Sequence, residues 1–283
     1  MQLAVFQIIT SEDSILKQKS KAVADINANV IKLLNNMNIK VVINTYIPEA
    51  LIIEAAFSDI EKLDLYKNGL IYIQDLGSML VSRILDPNEG DFVIDICSAP
   101  GGKTTHMAEL MDNKGKILAR DIYDHKINLV RKNAKRLGVN IITSEKFNGQ
   151  QLDKKLIETA DKVLIDAPCS GLGIIRRKPE IKYSKNTHDL KSLNRIQSQI
   201  LSNASKYVKK GGELVYSTCT IDPNENHKII KDFLKLNPMY ELVDINTLYR
   251  AIIPGEHKTN MIQLFPHIHG TDGFFIAKLT KKQ

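Results

Sequence analysis

Tryptophan is absent from this 283-residue chain, and aromatic residues make up only 6% of it. Cysteine is scarce as well, with Cys97, Cys169 and Cys219 as the full complement. An odd count without a C-x-x-C pair argues against a disulfide framework and a structural zinc site, and fits reduced thiols in a cytosolic protein. His188, His227, His267 and His269 show no metal-ligand spacing, so no metal is expected. Long apolar runs are also missing; none approaches the ~18 residues of a membrane span. Residues 1–6 carry no basic flank and give way to Ser11-Glu12-Asp13, which is not the pattern of a signal peptide. Neither an internal repeat nor a low-complexity linker is found.

What is present is a core-forming composition, 43% hydrophobic and 25% charged. The net charge of +7 comes from 39 basic residues against 32 acidic ones, a moderate lean towards a polyanionic partner such as nucleic acid. The length suits one large α/β domain with a smaller unit attached. Residues 1–66 read as a small α+β unit, with a helical pattern over 24–37 and apolar runs at 41–43 and 51–56. Lys67-Asn68-Gly69 marks the boundary, and a helix carrying Gln74, Asp75 and Ser78-Met79-Leu80 opens the domain over 67–283. Apolar strands then recur at 92–97, 116–119, 141–143, 162–165, 213–217, 240–243 and 274–279, most of them separated by helical patterns. Such alternation predicts a mainly parallel, doubly wound, Rossmann-like α/β sheet. No helix is evident between the last two strands, which predicts an antiparallel hairpin there.

Two cysteines are placed where they matter most. Cys169, in Asp166-Ala167-Pro168-Cys169-Ser170-Gly171, and Cys219, in Ser217-Thr218-Cys219, each follow a short apolar strand. In an open α/β sheet ligands bind beyond the carboxyl ends of the strands, so two such thiols converge on one substrate. A thiolate is a strong carbon nucleophile, and two thiols can divide attack and release between them. A glycine loop, Asp95-Ile96-Cys97-Ser98-Ala99-Pro100-Gly101-Gly102-Lys103-Thr104, follows the first strong strand and opens a helix. It is not a Walker A loop, because Cys97 stands where the first glycine belongs, and it is not G-x-G-x-x-G. Asp121 ends the next strand about 20 residues on, the place of a ribose-binding carboxylate. A glycine loop and a ribose acid without a phosphate cradle suit a nucleoside lacking phosphate, with S-adenosylmethionine (SAM) the candidate. Cys97 itself reads as a small buried hydrophobe ending its strand.

Together these motifs resemble the RNA (cytosine-5)-methyltransferases of the Sun/RsmB type, from about residue 66 to the C-terminus. Gln74-Asp75 with Ser78-Met79-Leu80, and Gly270-Thr271-Asp272-Gly273-Phe274-Phe275 near the end, match the family pattern too. The segment 173–179 is similar to the bacterial 16S rRNA branch in particular. The resemblance implies a SAM-dependent methyltransferase acting on C5 of a cytosine in bacterial small-subunit rRNA. It implies that Cys219 adds to C6 of the base and that Cys169 removes the C5 proton or otherwise releases the adduct. Asp166 is then the carboxylate meeting the base near N3, and Lys103 an active-site cation. The loop Cys97, Ser98, Ala99, Pro100, Gly101, Gly102 and Lys103, with Asp121, Asn148 and Asp166, is implied to hold SAM. Asn148 departs from the family, which usually has aspartate there, although its carbonyl still accepts a hydrogen bond.

Basic residues gather on 126–136 at helical spacing, read as a solvated helix face, and again at Arg176, Arg177 and Lys178 directly after a cysteine loop. The latter are expected to pair with RNA phosphates, since the arginine fork matches phosphate geometry. The family's Arg-x-Asn strand motif is not found; only Lys17-Gln18-Lys19 stands at its place. There is also no room for the NusB-like domain that the ribosomal branch usually carries upstream, which points to a fragment or a shortened form. Two other readings stay open: a methyltransferase acting on protein or a small molecule, and a catalytically silent SAM- and RNA-binding ribosome-assembly factor. Covalent thiol chemistry is not needed for N- or O-methylation, which disfavours the first.

Overall fold

The computed structural model describes residues 4–8, 31, 32, 34, 35, 41–44, 47–53, 60–184, 187–245 and 260–283. Lys17-Gln18-Lys19 and most of the helical pattern over 24–37 lie outside the described residues. The N-terminal unit is a four-stranded antiparallel sheet of β1 (Ala4–Ile8), β2 (Val41–Ile43), β3 (Ala50–Ile53) and β4 (Ile71–Ile73), ordered β2-β3-β1-β4. Isoleucine and valine dominate these strands, as expected of side chains that suit a pleated, half-buried surface. Strand β4 lies past Lys67-Asn68-Gly69 and completes this sheet by pairing Phe6 with Ile73 and Gln7 with Tyr72. At three residues it is too short to show a period. Helix α1 (Leu76–Leu85) follows at once, capped by Asp75, whose Oδ1 accepts from Gly77 N at 2.8 Å.

The second sheet is built from β5 (Phe92–Ile96), α2 (Gly102–Leu110), β6 (Lys116–Asp121), α3 (Asp124–Arg136), β7 (Ile142–Lys146), β8 (Ala160–Asp166), α4 (Thr187–Ala204), β9 (Val208–Thr218), α5 (His227–Leu236), β10 (Tyr240–Leu242), β11 (Met261–Gln263) and β12 (Phe275–Lys281). Its order is β10-β12-β9-β8-β5-β6-β7, with β11 also paired to β12. The run β9-β8-β5-β6-β7 is parallel, and β12 is antiparallel to β9, β10 and β11. The expected doubly wound, Rossmann-like sheet is thus observed. The terminal strands β10 and β12 do pair antiparallel, but β11 intervenes in the chain, so they are not a simple hairpin.

Alternate residues of each central strand serve the two faces of the sheet. Ile94, Ile96, Val163, Ile165, Leu214 and Tyr216 pack under Ile200, Leu201 and Ala204 of α4 and Ile230 and Phe233 of α5. Val93, Leu164 and Val215 face Met79–Leu85 of α1 and Met107 of α2, together with Ile47 and Ala50 from the N-terminal unit. From β5 the chain winds outward through β6 and β7, then returns to place β8 and β9 on the other side. That reversal opens a crevice at the carboxyl ends of β5 and β8, where ligands bind in such sheets.

A buried ionic group ties the two units together. Glu49 accepts from Arg83 Nε of α1 at 2.7 Å, and His106 Nε2 of α2 lies 2.8 Å from the same oxygen. Burial raises the Glu49 carboxyl, but hydrogen bonds and charge from His106 and Arg83 prevail and hold it at about 2, against an ordinary 4.5. A depressed carboxylate stabilises the fold above its unfolded pKa and loses that contribution as pH falls through the folded value. The contribution, roughly 3 kcal/mol by linkage, is therefore present above pH 4.5 and lost towards pH 2. Glu49→Gln is expected to be less stable by about that amount near neutrality, with the gap closing in acid, as measured by urea denaturation across this pH range.

Candidate active site

The loop after β5 turns sharply. Cys97 takes a left-handed φ of 68°, and Gly101 a φ of 104°. A Cβ on Gly102 would sit 2.9 Å from the Tyr72 ring, so the loop passes β4 only because the residue is glycine. Behind the loop, Thr104 Oγ1 donates to Asp95 Oδ2 at 2.5 Å. Asp95 Oδ1, Ser98 Oγ and Gln74 Oε1 are buried and have no partner among the described residues. All three residues line a cavity of about 410 Å³, in the range of small-molecule sites. Burial, opposed by the Thr104 bond, raises the Asp95 carboxyl to about 7.

Of the residues expected to hold a cofactor, the stretch 97–100, Gly102, Lys103 and Asp166 line this cavity. Gly101, Asp121 and Asn148 stand outside its wall. Asp121, at the end of β6, accepts from Ala99 N at 3.3 Å, which couples it to the glycine loop. Asn148 Oδ1 accepts from Gln150 N at 3.0 Å, so that carbonyl is spent on a local turn.

The two cysteine loops leave neighbouring parallel strands, with Asp166 of β8 opposite Ser217 of β9. They therefore emerge side by side, and Cys169 Sγ lies 3.4 Å from Cys219 Sγ. Asp166 is held from two directions, by Ser217 Oγ at 2.9 Å and Lys103 Nζ at 2.8 Å. Burial pulls the Lys103 ammonium down, but the charge and hydrogen bond of Asp166 outweigh it and raise the pKa, so the lysine stays protonated. The bond from the Cys169 thiol holds Cys219 below the ordinary thiol range, against burial and Asp166 and with help from Lys103. The same bond, with burial, pushes Cys169 well above that range. Cys169→Ala removes the donor. The pH at which Cys219 becomes reactive to iodoacetamide is expected to move up, and an unmoved midpoint would assign the depression to Lys103 instead.

Three buried polar residues brace these loops. Glu225 is fully buried and accepts from Ser170 N at 2.9 Å, Ser170 Oγ at 2.5 Å and Gln197 Nε2 at 2.8 Å. Gln197 Nε2 also donates to Pro168 O at 2.9 Å. Asn226 accepts from Thr218 Oγ1 at 2.6 Å and donates to Thr220 O at 3.0 Å. The sequence reading singled out none of the three. Their one signal is a Glu-Asn pair immediately ahead of an amphipathic helix. Gly173 links the loops directly, donating to Cys219 O at 3.0 Å while its own carbonyl accepts from Gly273 N at 2.9 Å.

Arg176 and Arg177 are committed within the protein. Arg176 Nε donates to Asp272 Oδ1 at 2.7 Å, Arg177 Nη2 to Asp75 Oδ2 at 2.9 Å and Arg177 Nε to Asp272 Oδ1 at 3.1 Å. Both arginines stay partly exposed while pairing with these two buried carboxylates, which come from distant parts of the chain. Arg177 and Lys178 do line the cavity, and Asp272 closes the same wall. Among the described residues no group of three or more His, Cys, Asp or Glu is arranged to hold a metal ion. No described helix is long and apolar enough to cross a membrane.

The sequence model of the family described as 16S rRNA methyltransferase RsmB/F matches residues 82–280, well over half of the chain. This chain belongs to the RsmB/F family. It is 44% identical over 220 residues to the probable ribosomal RNA small subunit methyltransferase B of Bacillus subtilis, 77% of this chain and 49% of that protein. It is 36% identical over 222 residues to the tRNA (cytosine(72)-C(5))-methyltransferase of Pyrococcus horikoshii, 78% of this chain and 55% of that one. Among solved structures, a methyltransferase homologue protein from Pyrococcus horikoshii superposes with a TM-score of 0.80 at 31% identity, covering 100% of this chain and 88% of the other. The chain spans about half the length of the curated relatives it matches. The glycine loop and both cysteine loops lie inside the RsmB/F match, whereas Gln74 and Asp75 precede it.

Proposed function

We propose that this chain is the catalytic part of a SAM-dependent RNA (cytosine-5)-methyltransferase acting on bacterial small-subunit rRNA in the cytoplasm. The observation that carries the reading is the pair of thiols 3.4 Å apart, of which Cys219 lines one cavity together with the Lys103–Asp166 pair. Methyl transfer to nitrogen or oxygen has no use for two such thiols. C5 of cytosine is not nucleophilic until a nucleophile adds to C6, so a carbon methyltransferase needs the first thiol and gains from the second.

The residues fit the cofactor. Asp95 Oδ1, Ser98 Oγ and Gln74 Oε1 are buried acceptors awaiting donors, which the ammonium of the methionine end of SAM provides. The backbone of the glycine loop and the Asp121 carboxylate would hold the remainder, with ribose on Asp121. When bound, SAM supplies an electrophilic methyl group. The protein's part is to make C5 able to accept it. Cys219, held towards its thiolate, adds to C6 and breaks the aromaticity of the ring. Asp166 faces the N3 and N4 edge, and Lys103 sets positive charge beside the density that develops there. Cys169, whose sulfur lies next to the departing one, gives up its own proton to solvent, takes the C5 proton as a thiolate, and the C6–S bond then breaks to restore the ring and release Cys219 as thiolate. The base has to leave its stack to reach these groups, so an unpaired cytosine is the favoured target.

Small-subunit rRNA is preferred to tRNA because the matching family is described as 16S rRNA methyltransferase RsmB/F and the 44% identical Bacillus subtilis relative is named for that rRNA. We assign RNA engagement to the N-terminal unit and to the rim around Lys178. The test supplies methyl-labelled SAM and unmodified small-subunit rRNA, then maps label by nuclease digestion and bisulfite sequencing. Label as 5-methylcytosine at one position is expected. Label on protein would favour the non-RNA reading. SAM binding by calorimetry, with no label in any rRNA tried, would favour the silent assembly factor.

A further inference from the structure

Two thiols arranged to act in succession on a base are also a dithiol. Cys169 Sγ and Cys219 Sγ are already in contact at 3.4 Å, and the gap remaining to a covalent bond of about 2 Å is small against a side-chain rotation. The backbone on both sides is held, Ser170 N by Glu225 and Thr220 O by Asn226, and Asn226 also accepts from the Thr218 hydroxyl. Cys219 lines the open cavity, so a small oxidant reaches it by the path a base would take. We propose that Cys169 and Cys219 form a reversible disulfide on exposure to a hydroperoxide, a modification site that closes the active site to its substrate.

The steps balance. Cys219 thiolate attacks one peroxide oxygen; the S–O bond forms, the O–O bond breaks and hydroxide leaves, so sulfur is oxidised by two electrons to a sulfenic acid and the peroxide is reduced. Cys169 sulfur then attacks Cys219 sulfur; the S–S bond forms, the S–O bond breaks, and the leaving oxygen departs as water with the Cys169 proton. An external dithiol reverses the bond by exchange. Cys219 fits the first role because the Cys169 bond and Lys103 favour its thiolate. The neighbour within contact captures the sulfenic acid before it can oxidise further. Cys97 lines the same cavity, but burial and surrounding carboxylates raise its pKa, so it remains a poorly reactive thiol. The disulfide is independent of the function proposed above; only the loss of methyl transfer rests on it.

The experiment exposes the full chain to hydrogen peroxide without reductant, caps free thiols with iodoacetamide, and reads intact mass and peptide maps. The expected product lacks two hydrogens, carries a peptide pair joining 169 to 219, leaves Cys97 as the single capped thiol, and returns to three capped thiols after dithiothreitol. The Cys97→Ser variant should form the same bridge. Cys219 recovered as a sulfinic or sulfonic acid beside a free Cys169, or bridged to Cys97, would overturn the proposal. A disulfide formed by a protein that never methylates RNA would leave this inference standing and sink the catalytic reading instead.

Discussion

Cys169→Ala, mixed with SAM and unmodified small-subunit rRNA, is expected to give a slow-migrating protein–RNA species on a denaturing gel. The proposed mechanism gives attack and release to different sulfurs, and the two sulfurs meet at 3.4 Å. Removing the one without a place in the cavity wall leaves addition possible and stops the adduct from resolving. The species should form more slowly than adduct formation in the parent, since Cys219 loses the donor that favours its thiolate. A second change, Cys219→Ala, should abolish it. Alone, Cys219→Ala is expected to lower kcat on the order of 10⁴-fold or more, the scale of removing a covalent nucleophile, with SAM affinity unchanged. An adduct that survives Cys219→Ala would reverse the two assignments. Full turnover by that variant would end the covalent reading altogether.

Gly173→Ala should also be damaging, although the residue carries no chemistry of its own. A Cβ there would lie 2.0 Å from Gly273 O and 2.7 Å from Cys219 O, both backbone atoms that cannot swing aside. The loop has to move, and with it the hydrogen bond from Gly173 N to Cys219 O. Displacement of a reacting group by about 1 Å costs on the order of 10²-fold in rate, so kcat should fall by that factor while SAM binding at the glycine loop persists. The reactivity of Cys219 towards iodoacetamide provides a check without RNA. Near-normal kcat in Gly173→Ala would show that the contact between the two loops is not what holds the sulfurs together.

Much of the site is legible along the chain because its chemistry sits at strand ends. Apolar runs announce β5, β8 and β9, and the residues directly after them, Cys97, Cys169 and Cys219, are the ones that reach the crevice or its neighbour. Strands β4 and β11 were not read at all. Glu225, Gln197 and Asn226 escaped for a physical reason. A buried polar side chain is defined by its partners, and those of Glu225 come from residues 170 and 197. Arg176 and Arg177 show the same limit from the other side. Their charge and position beside a cysteine loop were correctly noted, but the carboxylates that occupy them, Asp75 and Asp272, lie about a hundred residues away in either direction.

The sequence by itself determined the family, the parallel α/β order and the kinds of groups present: two thiols, a lysine, an aspartate and a glycine turn. Those follow from side-chain type and local periodicity, which need no partner to be read. Only the tertiary structure decided that the thiols touch, that Lys103 meets Asp166, and that the arginines at 176–177 pair with Asp75 and Asp272. These depend on register. Parallel pairing sets Asp166 opposite Ser217, and with that one alignment two loops fifty residues apart come to share a single cavity.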